Sequence, residues 1–196
     1  AASAVYKRQE MFPPLKIEVK SLHGIEYSLP VPSAQVKSCI ILAGLFADSQ
    51  SMIHQPVLSR DHTETMLSNM GANIEIIGNS ITINKSILRS VDMEIPGDVS
   101  AAAFWIVAGL CHSDAEIIVK NIGINKSRTG FLEILKNMGA DITILNKHVM
   151  FGEPVGDIKA RSSTLKGVEI SGSIIPNIID EIPVLALAAC FATGKT

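Results

Sequence analysis

The stretch over residues 29–70 reads LPVPSAQVKSCIILAGLFADSQSMIHQPVLSRDHTETMLSNM, and it predicts the fold of the whole chain. A strand end with two prolines leads to a polar helix start at Ser33, followed by a predicted apolar helix over 36–47. A short predicted strand over 52–54 then leads to a second polar helix start at Ser59. Helix N-termini present free backbone N–H groups and a partial positive charge, so both starts suit an anion such as phosphate.

The residues that follow carry ordinary helix and hairpin signals. Asp61 is predicted to be an N-cap, and Glu64 stands three residues later, at the spacing of a capping box. Gly71 follows the last periodic residue, as expected of a glycine that ends a helix. Residues 73–77 and 80–83 alternate like the two strands of a hairpin. The unit therefore reads as strand, helix, strand, helix and hairpin.

Short self-matches along the chain predict that this unit is repeated, which makes the fold class α/β. The matching segments are 43–45 with 108–110, 59–60 with 127–128, 70–72 with 138–140, and 22–26 with 165–169. Further apolar helices are accordingly predicted over 101–111 and 182–192. A second hairpin is predicted over 141–145 and 148–151, with its turn at Asn146 and Lys147.

Composition excludes several classes of protein. The 196 residues are 47% hydrophobic with a formal net charge of -2, so we expect one or two globular domains and no nucleic-acid partner. The longest apolar runs, 39–47 and 101–111, are shorter than the roughly 20 residues of a membrane helix, so no membrane partner is expected. Cys39, Cys111 and Cys190 lie in apolar runs without metal-ligand spacing, and we predict buried free thiols in a reducing compartment.

Five motifs follow one another along the chain: SAQVKS at 33–38, LSRDHTE at 58–64, IPGD at 95–98, SRTG at 127–130 and IDEIP at 179–183. Together, and in this order, they resemble the EPSP synthase (3-phosphoshikimate 1-carboxyvinyltransferase) family. The resemblance covers residues 12–196. It implies the inside-out α/β barrel of the enolpyruvyl transferases, in which each of two globular halves is made of three βαβαββ units. The UDP-N-acetylglucosamine enolpyruvyl transferases share that fold, but the SRDHTE string favours EPSP synthase.

The resemblance also implies that this chain is the middle of a protein more than twice as long. Residues 1–91 would end the first half-domain, and residues 92–196 would begin the second. The family's catalytic lysine and glutamate would lie outside the chain, so we expect the chain alone to be inactive. The whole enzyme is expected to be a cytoplasmic monomer, whereas this piece is expected to self-associate.

The activity implied by the resemblance is the transfer of an enolpyruvyl group from phosphoenolpyruvate to the 5-hydroxyl of shikimate 3-phosphate, with release of phosphate. This reaction belongs to the shikimate pathway of aromatic amino acid biosynthesis. It proceeds by addition and elimination through a tetrahedral intermediate, and it needs phosphate-binding groups, a base and an acid. No metal and no organic cofactor is expected.

Matching of the motifs implies site residues one by one. Ser33, Ala34, Gln35 and Ser59 would contact shikimate 3-phosphate, and Gln35 would also contact phosphoenolpyruvate. Ala34 stands where many family members have a second serine, which leaves only a backbone contact there. Asp180 would contact shikimate 3-phosphate and act as the base, because a carboxylate at a helix N-terminus stays ionised. Without the resemblance, spacing alone favours plain capping or surface roles for these residues.

Neighbouring charged residues are interpreted more simply. Four are predicted to be structural: Lys37 inside its helix, His62 at a helix start, Asp98 as an N-cap and Glu181 as a first-turn charge. Arg60 is equally suited to a phosphate contact or a surface position, and Arg128, its match in the second unit, is expected to serve the fold.

The rival hypothesis from another class is a non-catalytic repeat module that binds anions through its helix N-termini.

Overall fold

The computed structural model describes residues 5–7, 15–17 and 20–196. The chain divides between Val91 and Asp92 into two compact units, called unit 1 and unit 2 below. Unit 1 opens with a small antiparallel pair, β1 (Val5–Lys7) and β2 (Leu15–Ile17). Within these described ranges, none of the helices is long and apolar enough to cross a membrane.

The rest of unit 1 is one complete βαβαββ unit. Its elements are β3 (Glu26–Ser28), α1 (Ala34–Gly44), β4 (Ser51–His54), α2 (His62–Asn69), β5 (Ile74–Ile77) and β6 (Ser80–Ile83). The sheet has the order β3-β4-β6-β5, with β3 parallel to β4 and the other pairs antiparallel. A parallel pair needs a crossover connection, which α1 supplies. The buried core between the helices and this sheet includes Ile41, Leu45, Ile53, Leu67 and Ile81.

Unit 2 repeats this order, with its first strand reduced to a single bridge between Gly97 and Ile122. Its elements are α3 (Val99–Cys111), β7 (Glu116–Gly123), α4 (Gly130–Asn137), β8 (Asp141–Met150), β9 (Glu153–Arg161), a 3-10 helix (Gly172–Asn177) and α5 (Ile182–Cys190). The order β7-β9-β8 repeats the order β4-β6-β5 of unit 1. The predicted α/β repeat is therefore confirmed in both units.

Glycines at matching positions explain two of the self-matches. Gly71 and Gly139 follow α2 and α4 with φ of 89° and 97°, a left-handed conformation that glycine adopts at helix C-termini. At Gly24 and Gly167 the backbone packs against another segment: an added Cβ would lie 2.0 Å and 2.2 Å from a carbonyl oxygen. The match of 22–26 with 165–169 therefore reflects the same close approach of two backbone segments, once in unit 1 and once in unit 2.

The second hairpin is not where the sequence predicted it. β8 continues through Asn146, and the turn lies at Phe151 and Gly152, whose φ values are 50° and 76°. Asn146 is left-handed, with φ of 49°, but it lies at an irregularity in the register of β8 and β9. Its side-chain amide donates to Asp157 Oδ2 at 2.8 Å. Asparagine favours a left-handed backbone in a bulge and in a turn alike, so the local signal could not distinguish them.

The helices also differ from prediction at their ends and surfaces. α1 begins at Ala34, two residues before its predicted start, and ends at Gly44. Cys39 and Cys190 are exposed and Cys111 is half-buried, so the prediction of three buried thiols was wrong. Helices that are apolar on every side carry no pattern that tells which face is covered. Partial burial raises the pKa of the Cys111 thiol above its ordinary value.

Candidate active site

The start of α1 is capped by a neutral side chain. Ser33 has an extended backbone, and its hydroxyl oxygen accepts a hydrogen bond from the Val36 N–H at 3.3 Å. The N–H groups of Ala34 and Gln35 have no acceptor within the helix, because the first turn lacks preceding carbonyls. The Gln35 side chain is exposed, and Ser33 and Ala34 are half-buried. This helix end therefore offers donors and a partial positive charge without a carboxylate of its own.

Ser59 is held in place by a buried glutamine. Its N–H and its hydroxyl both donate to Gln55 Oε1, at 3.3 Å and 2.9 Å. Gln55 follows β4, is 6% exposed, and donates its own N–H to the Asn79 carbonyl at 2.9 Å. For Ser59 to donate to an anion, its hydroxyl would have to rotate away from Gln55. No role was predicted for Gln55, since a single glutamine before Pro56 carries no recognised signal.

Lys37 joins these two segments. Its backbone N–H donates to the Ser33 carbonyl at 3.1 Å. Its ammonium donates to the carbonyl oxygens of Ser59 at 3.3 Å and Arg60 at 2.7 Å, and it pairs with Glu64 Oε1 at 2.7 Å. These contacts agree with the structural role predicted for Lys37. They also connect the start of α1, at Ser33, with the Ser59 segment within unit 1.

The predicted capping box at the start of α2 is wrong. Glu64 is buried and pairs with Lys37 instead of reaching back to the helix end. Asp61 does occupy the N-cap position, but no capping hydrogen bond from its side chain is found in the described structure. Both ionised groups need partners once they leave water, so the tertiary ion pair overrides the local motif. One sequence signal could have predicted the ion pair. Lys37 lies four residues before Ile41 and therefore on the same buried face of α1.

The matching helix start in unit 2 is built differently. Asp98 caps α3, as predicted, and its Oδ1 accepts from the Ser100 N–H at 3.2 Å. Arg128 donates to the same Oδ1 at 3.1 Å and to the Ser100 hydroxyl oxygen at 2.5 Å. A carboxylate and a guanidinium therefore already neutralise each other where unit 1 has a neutral cap. This arrangement does not suit a further anion.

Glu181 differs from its predicted role as an exposed first-turn charge. It is fully buried at the N-cap position of α5, where its Oε1 accepts a hydrogen bond from the Ser100 hydroxyl. Ser100 thus receives a hydrogen bond from Arg128 and donates one to Glu181. The sequence suggested a helix-end charge because acidic residues are common there, but the buried contact depends on α3, which is 81 residues away along the chain.

Asp180 lies in the turn between the 3-10 helix and α5 of unit 2 and is exposed. The turn is closed by a hydrogen bond from the Glu181 N–H to the Ile178 carbonyl at 2.8 Å. Ile178 and Glu181, on either side of the turn, are both fully buried. An exposed carboxylate on a turn anchored at both ends can accept a proton from a bound hydroxyl group.

Fold and geometry together define a class: an α/β repeat protein in which the start of α1 carries the neutral hydroxyl and amide side chains of Ser33 and Gln35. The model of the EPSP synthase (3-phosphoshikimate 1-carboxyvinyltransferase) family matches residues 1–196. The chain therefore belongs to the EPSP synthase family. This confirms the first interpretation of the five motifs over the sugar-nucleotide enzyme.

Similar proteins agree with this assignment. The 3-phosphoshikimate 1-carboxyvinyltransferases of Crocosphaera subtropica and Thermodesulfovibrio yellowstonii are 49% and 48% identical to this chain, over 97% and 100% of it. An EPSP synthase structure from Acinetobacter baumannii covers 98% of the chain with a TM-score of 0.87 and 40% identity. The enolpyruvyl transferase NikO from Streptomyces tendae, at 19% identity and a TM-score of 0.80, shares the fold. The chain spans 43% and 46% of the two curated relatives and 44% of the A. baumannii structure.

Proposed function

We propose that this chain forms part of the active site of a 3-phosphoshikimate 1-carboxyvinyltransferase of the shikimate pathway. In that reaction the 5-hydroxyl oxygen of shikimate 3-phosphate bonds to C2 of phosphoenolpyruvate, and C3 takes up a proton. The tetrahedral intermediate then loses phosphate from C2 and a proton from C3, which restores the double bond. We place the enzyme in the cytoplasm, as is usual for this biosynthetic pathway.

The observation that carries the proposal is the neutral, open helix start of unit 1. Ser33, the Ala34 N–H and Gln35 supply hydroxyl, backbone and amide donors of the kind that bind phosphate at a helix N-terminus. The Ser59 hydroxyl would join them by rotating away from Gln55. We assign these four residues to shikimate 3-phosphate. Gln35 is exposed at the helix end, and we assign it a second contact with phosphoenolpyruvate.

We assign Asp180 as the base that takes the proton of the 5-hydroxyl group. Its exposure and its anchored turn support this role, since a base must reach its proton in a fixed geometry. We further propose that unit 1 ends the first half-domain of the enzyme and that unit 2 begins the second. Because the chain spans less than half of its relatives, we expect negligible turnover from the chain alone.

The experiment that tests this proposal is a calorimetric titration of shikimate 3-phosphate into the 196-residue chain. We expect saturable binding that weakens by about tenfold in Gln35→Ala, the loss of one or two hydrogen bonds to a charged group. Gln50→Ala, an exposed glutamine of the same unit, is the matched control and should bind like the unmodified chain.

Each outcome of the titration decides between hypotheses. Binding of shikimate 3-phosphate that inorganic phosphate at equal concentration does not compete away supports the enzyme site. Equal affinity for both ligands would instead favour the anion-binding module. No binding by a chain whose circular dichroism shows it folded would refute the assignment of a preformed site to unit 1.

Exposed apolar side chains on unit 2 support the expectation that this chain self-associates. α3 and α5 pack together, and Phe104, Leu187, Phe191 and Trp105, which is 65% exposed, lie uncovered on them. We predict that sedimentation velocity shows oligomers whose fraction grows with concentration. The Trp105→Lys variant should lower the fraction of oligomer at a given concentration. Ile87→Lys, at an isolated exposed position of unit 1, is the control and should leave association unchanged. A chain that stays monomeric at 100 μM, on the order of the concentrations such studies use, would contradict this.

A further inference from the structure

Unit 1 contains a lysine that solvent cannot reach. The side chains of Lys37 and Glu64 are 1% and 2% exposed, and they form an ion pair of 2.7 Å. Lysine and glutamate are almost never fully buried unless paired, because removing their charges from water is costly. A neutral apolar pair of similar volume would fill this space at lower cost, so the ion pair calls for a reason beyond core packing.

Direct binding of an anion does not supply that reason. An ammonium group has three N–H donors. Those of Lys37 face Glu64 Oε1 and the carbonyl oxygens of Ser59 and Arg60. All three donors are therefore in use inside the protein, and the group is covered.

The carbonyl contacts have a consequence for the backbone. In a planar trans peptide the C=O and the next N–H point in opposite directions. With the carbonyl oxygens of Ser59 and Arg60 drawn toward Lys37, the N–H groups of Arg60 and Asp61 point away from it. The backbone N–H of Lys37 is bonded to the Ser33 carbonyl, so the same residue also fixes this segment relative to the start of α1.

Unit 2 shows that the fold does not require the ion pair. The self-matches align Lys37 with Ala102 and Glu64 with Leu132, and both of these residues are buried in an apolar core. Unit 2 is also the unit whose helix start is neutralised by Asp98 and Arg128. The buried ion pair thus occurs in the unit with the open helix start, and an apolar pair occurs in the other.

We infer that Lys37, held by Glu64, is a positioning residue of the anion site: it orients the Ser59–Arg60 backbone toward a phosphate group bound at the start of α1. This inference rests on the proposed function. It predicts that an apolar pair in place of the ion pair preserves the fold of unit 1 but weakens binding of the phosphate group.

The test is the double variant Lys37→Met/Glu64→Leu in the 196-residue chain, which imitates the apolar pair of unit 2. The matched control is Ser38→Ala/Thr63→Val, which removes a 2.6 Å hydrogen bond between the same two helices without touching the carbonyls of Ser59 and Arg60. For each protein we would measure the midpoint of urea unfolding, the affinity for shikimate 3-phosphate and for inorganic phosphate, and amide hydrogen exchange over residues 57–62.

We expect the Lys37→Met/Glu64→Leu variant to unfold at or above the urea concentration of the unmodified chain. Its affinity for both ligands should fall about tenfold or more, as when residues that support metal ligands are lost. Exchange should accelerate at residues 57–62 and stay unchanged in β4 and β6. The control should retain its affinity and its slow exchange at residues 57–62.

Two results would overturn the inference in different ways. Unchanged affinity and unchanged local exchange in a stable Lys37→Met/Glu64→Leu variant would show that the pair only fills space, while the proposed function would stand. If the folded, unmodified chain bound neither ligand, the proposed site itself would fail, and the positioning role would fail with it.

Discussion

The two units share a backbone plan but differ at the same helix start. In unit 1 a neutral Ser33 caps α1, and the N–H groups of Ala34 and Gln35 have no acceptor within the helix. In unit 2 a charged Asp98 caps α3 and is paired with Arg128. A repeated fold thus provides the same partial positive charge twice, and we propose that one capping residue determines whether an external anion can bind there.

The interiors behind these helix starts differ in a matching way. Unit 1 buries Lys37 and Glu64 where unit 2 buries Ala102 and Leu132. Unit 2 instead buries the acidic side chain of Glu181, which contacts the start of α3 through Ser100. Among the described residues, each unit therefore has a buried glutamate linked to its helix start, but the glutamate comes from a different element.

The largest effect should come from breaking the ion pair of unit 1 on one side only. Lys37→Ala leaves Glu64 buried without its cation, and we expect a loss of about 3–5 kcal/mol in the free energy of unfolding of unit 1. Urea unfolding followed by circular dichroism measures it, while the fluorescence of Trp105, the only tryptophan, reports on unit 2. Lys85→Ala removes an exposed lysine of unit 1 and should change stability by less than about 0.5 kcal/mol. If Lys37→Ala and Lys85→Ala lowered the free energy of unfolding by similar small amounts, the buried pair would not be important for the stability of unit 1.

The next largest effect, on ligand affinity, should come from replacing the neutral cap of unit 1 with an aspartate, the capping residue of unit 2. Ser33→Asp keeps an N-cap acceptor, so stability should change by less than about 0.5 kcal/mol. The new carboxylate should weaken binding of shikimate 3-phosphate by at least about tenfold, because two negative charges would meet at one helix end. Calorimetry measures the affinity.

Ser33→Asn is the control for that substitution, since asparagine has the shape of aspartate and caps as well, without the charge. It should lose clearly less affinity than Ser33→Asp. If both variants lost affinity equally, the size of the side chain would be responsible, and the contrast with Asp98 would carry no functional meaning.

The smallest effect concerns one aspartate in each unit. A hydrogen bond from His23, at 2.5 Å, holds the pKa of Asp48 below its ordinary value. In unit 2 the pKa of Asp157 is lowered first by the Asn121 backbone N–H and then by the Asn146 side chain. A lowered folded pKa means that the stabilisation is present above the unfolded pKa and is lost as pH falls through the folded pKa.

We therefore expect only a slight loss of stability between pH 7 and the ordinary aspartate pKa near 4, and a steeper loss below it. NMR titration of the carboxyl carbons would locate both pKa values. His23→Ala should raise the pKa of Asp48 alone, and Asn146→Ala should raise that of Asp157 alone. A titration of both carboxyls at ordinary aspartate values in the unmodified chain would refute these contacts.

Local chemistry explains what could be predicted from the sequence. The cap at Asp98, the polar helix start at Ser33 and the glycine after α2 were predicted because each depends on neighbours within a few residues. The repeat was predicted because its self-matches include backbone positions, such as Gly24, that accept no side chain. The candidate site residues remain predictions from the five motifs, and the binding experiments above are their test.

Four of the misses concern side-chain contacts that no local sequence pattern encodes. Glu64 has the spacing of a capping box yet pairs with Lys37, and Glu181 has the position of a helix-end charge yet bonds to Ser100. Gln55 had no signal at all, because its importance lies in the two hydrogen bonds it accepts from Ser59. Asn146 had the right local signal in the wrong element, since Asp157 on the neighbouring strand stabilises it in a bulge.

The sequence by itself determined the family, the order of the repeated elements and the polarity of each helix start. These properties follow from residue order, hydrophobic period and local hydrogen bonding. Only the tertiary structure decided which charged side chains are buried and which groups they contact. A side chain such as that of Lys37 is costly inside the protein unless acceptors from other segments surround it, and those segments meet only once the chain has folded.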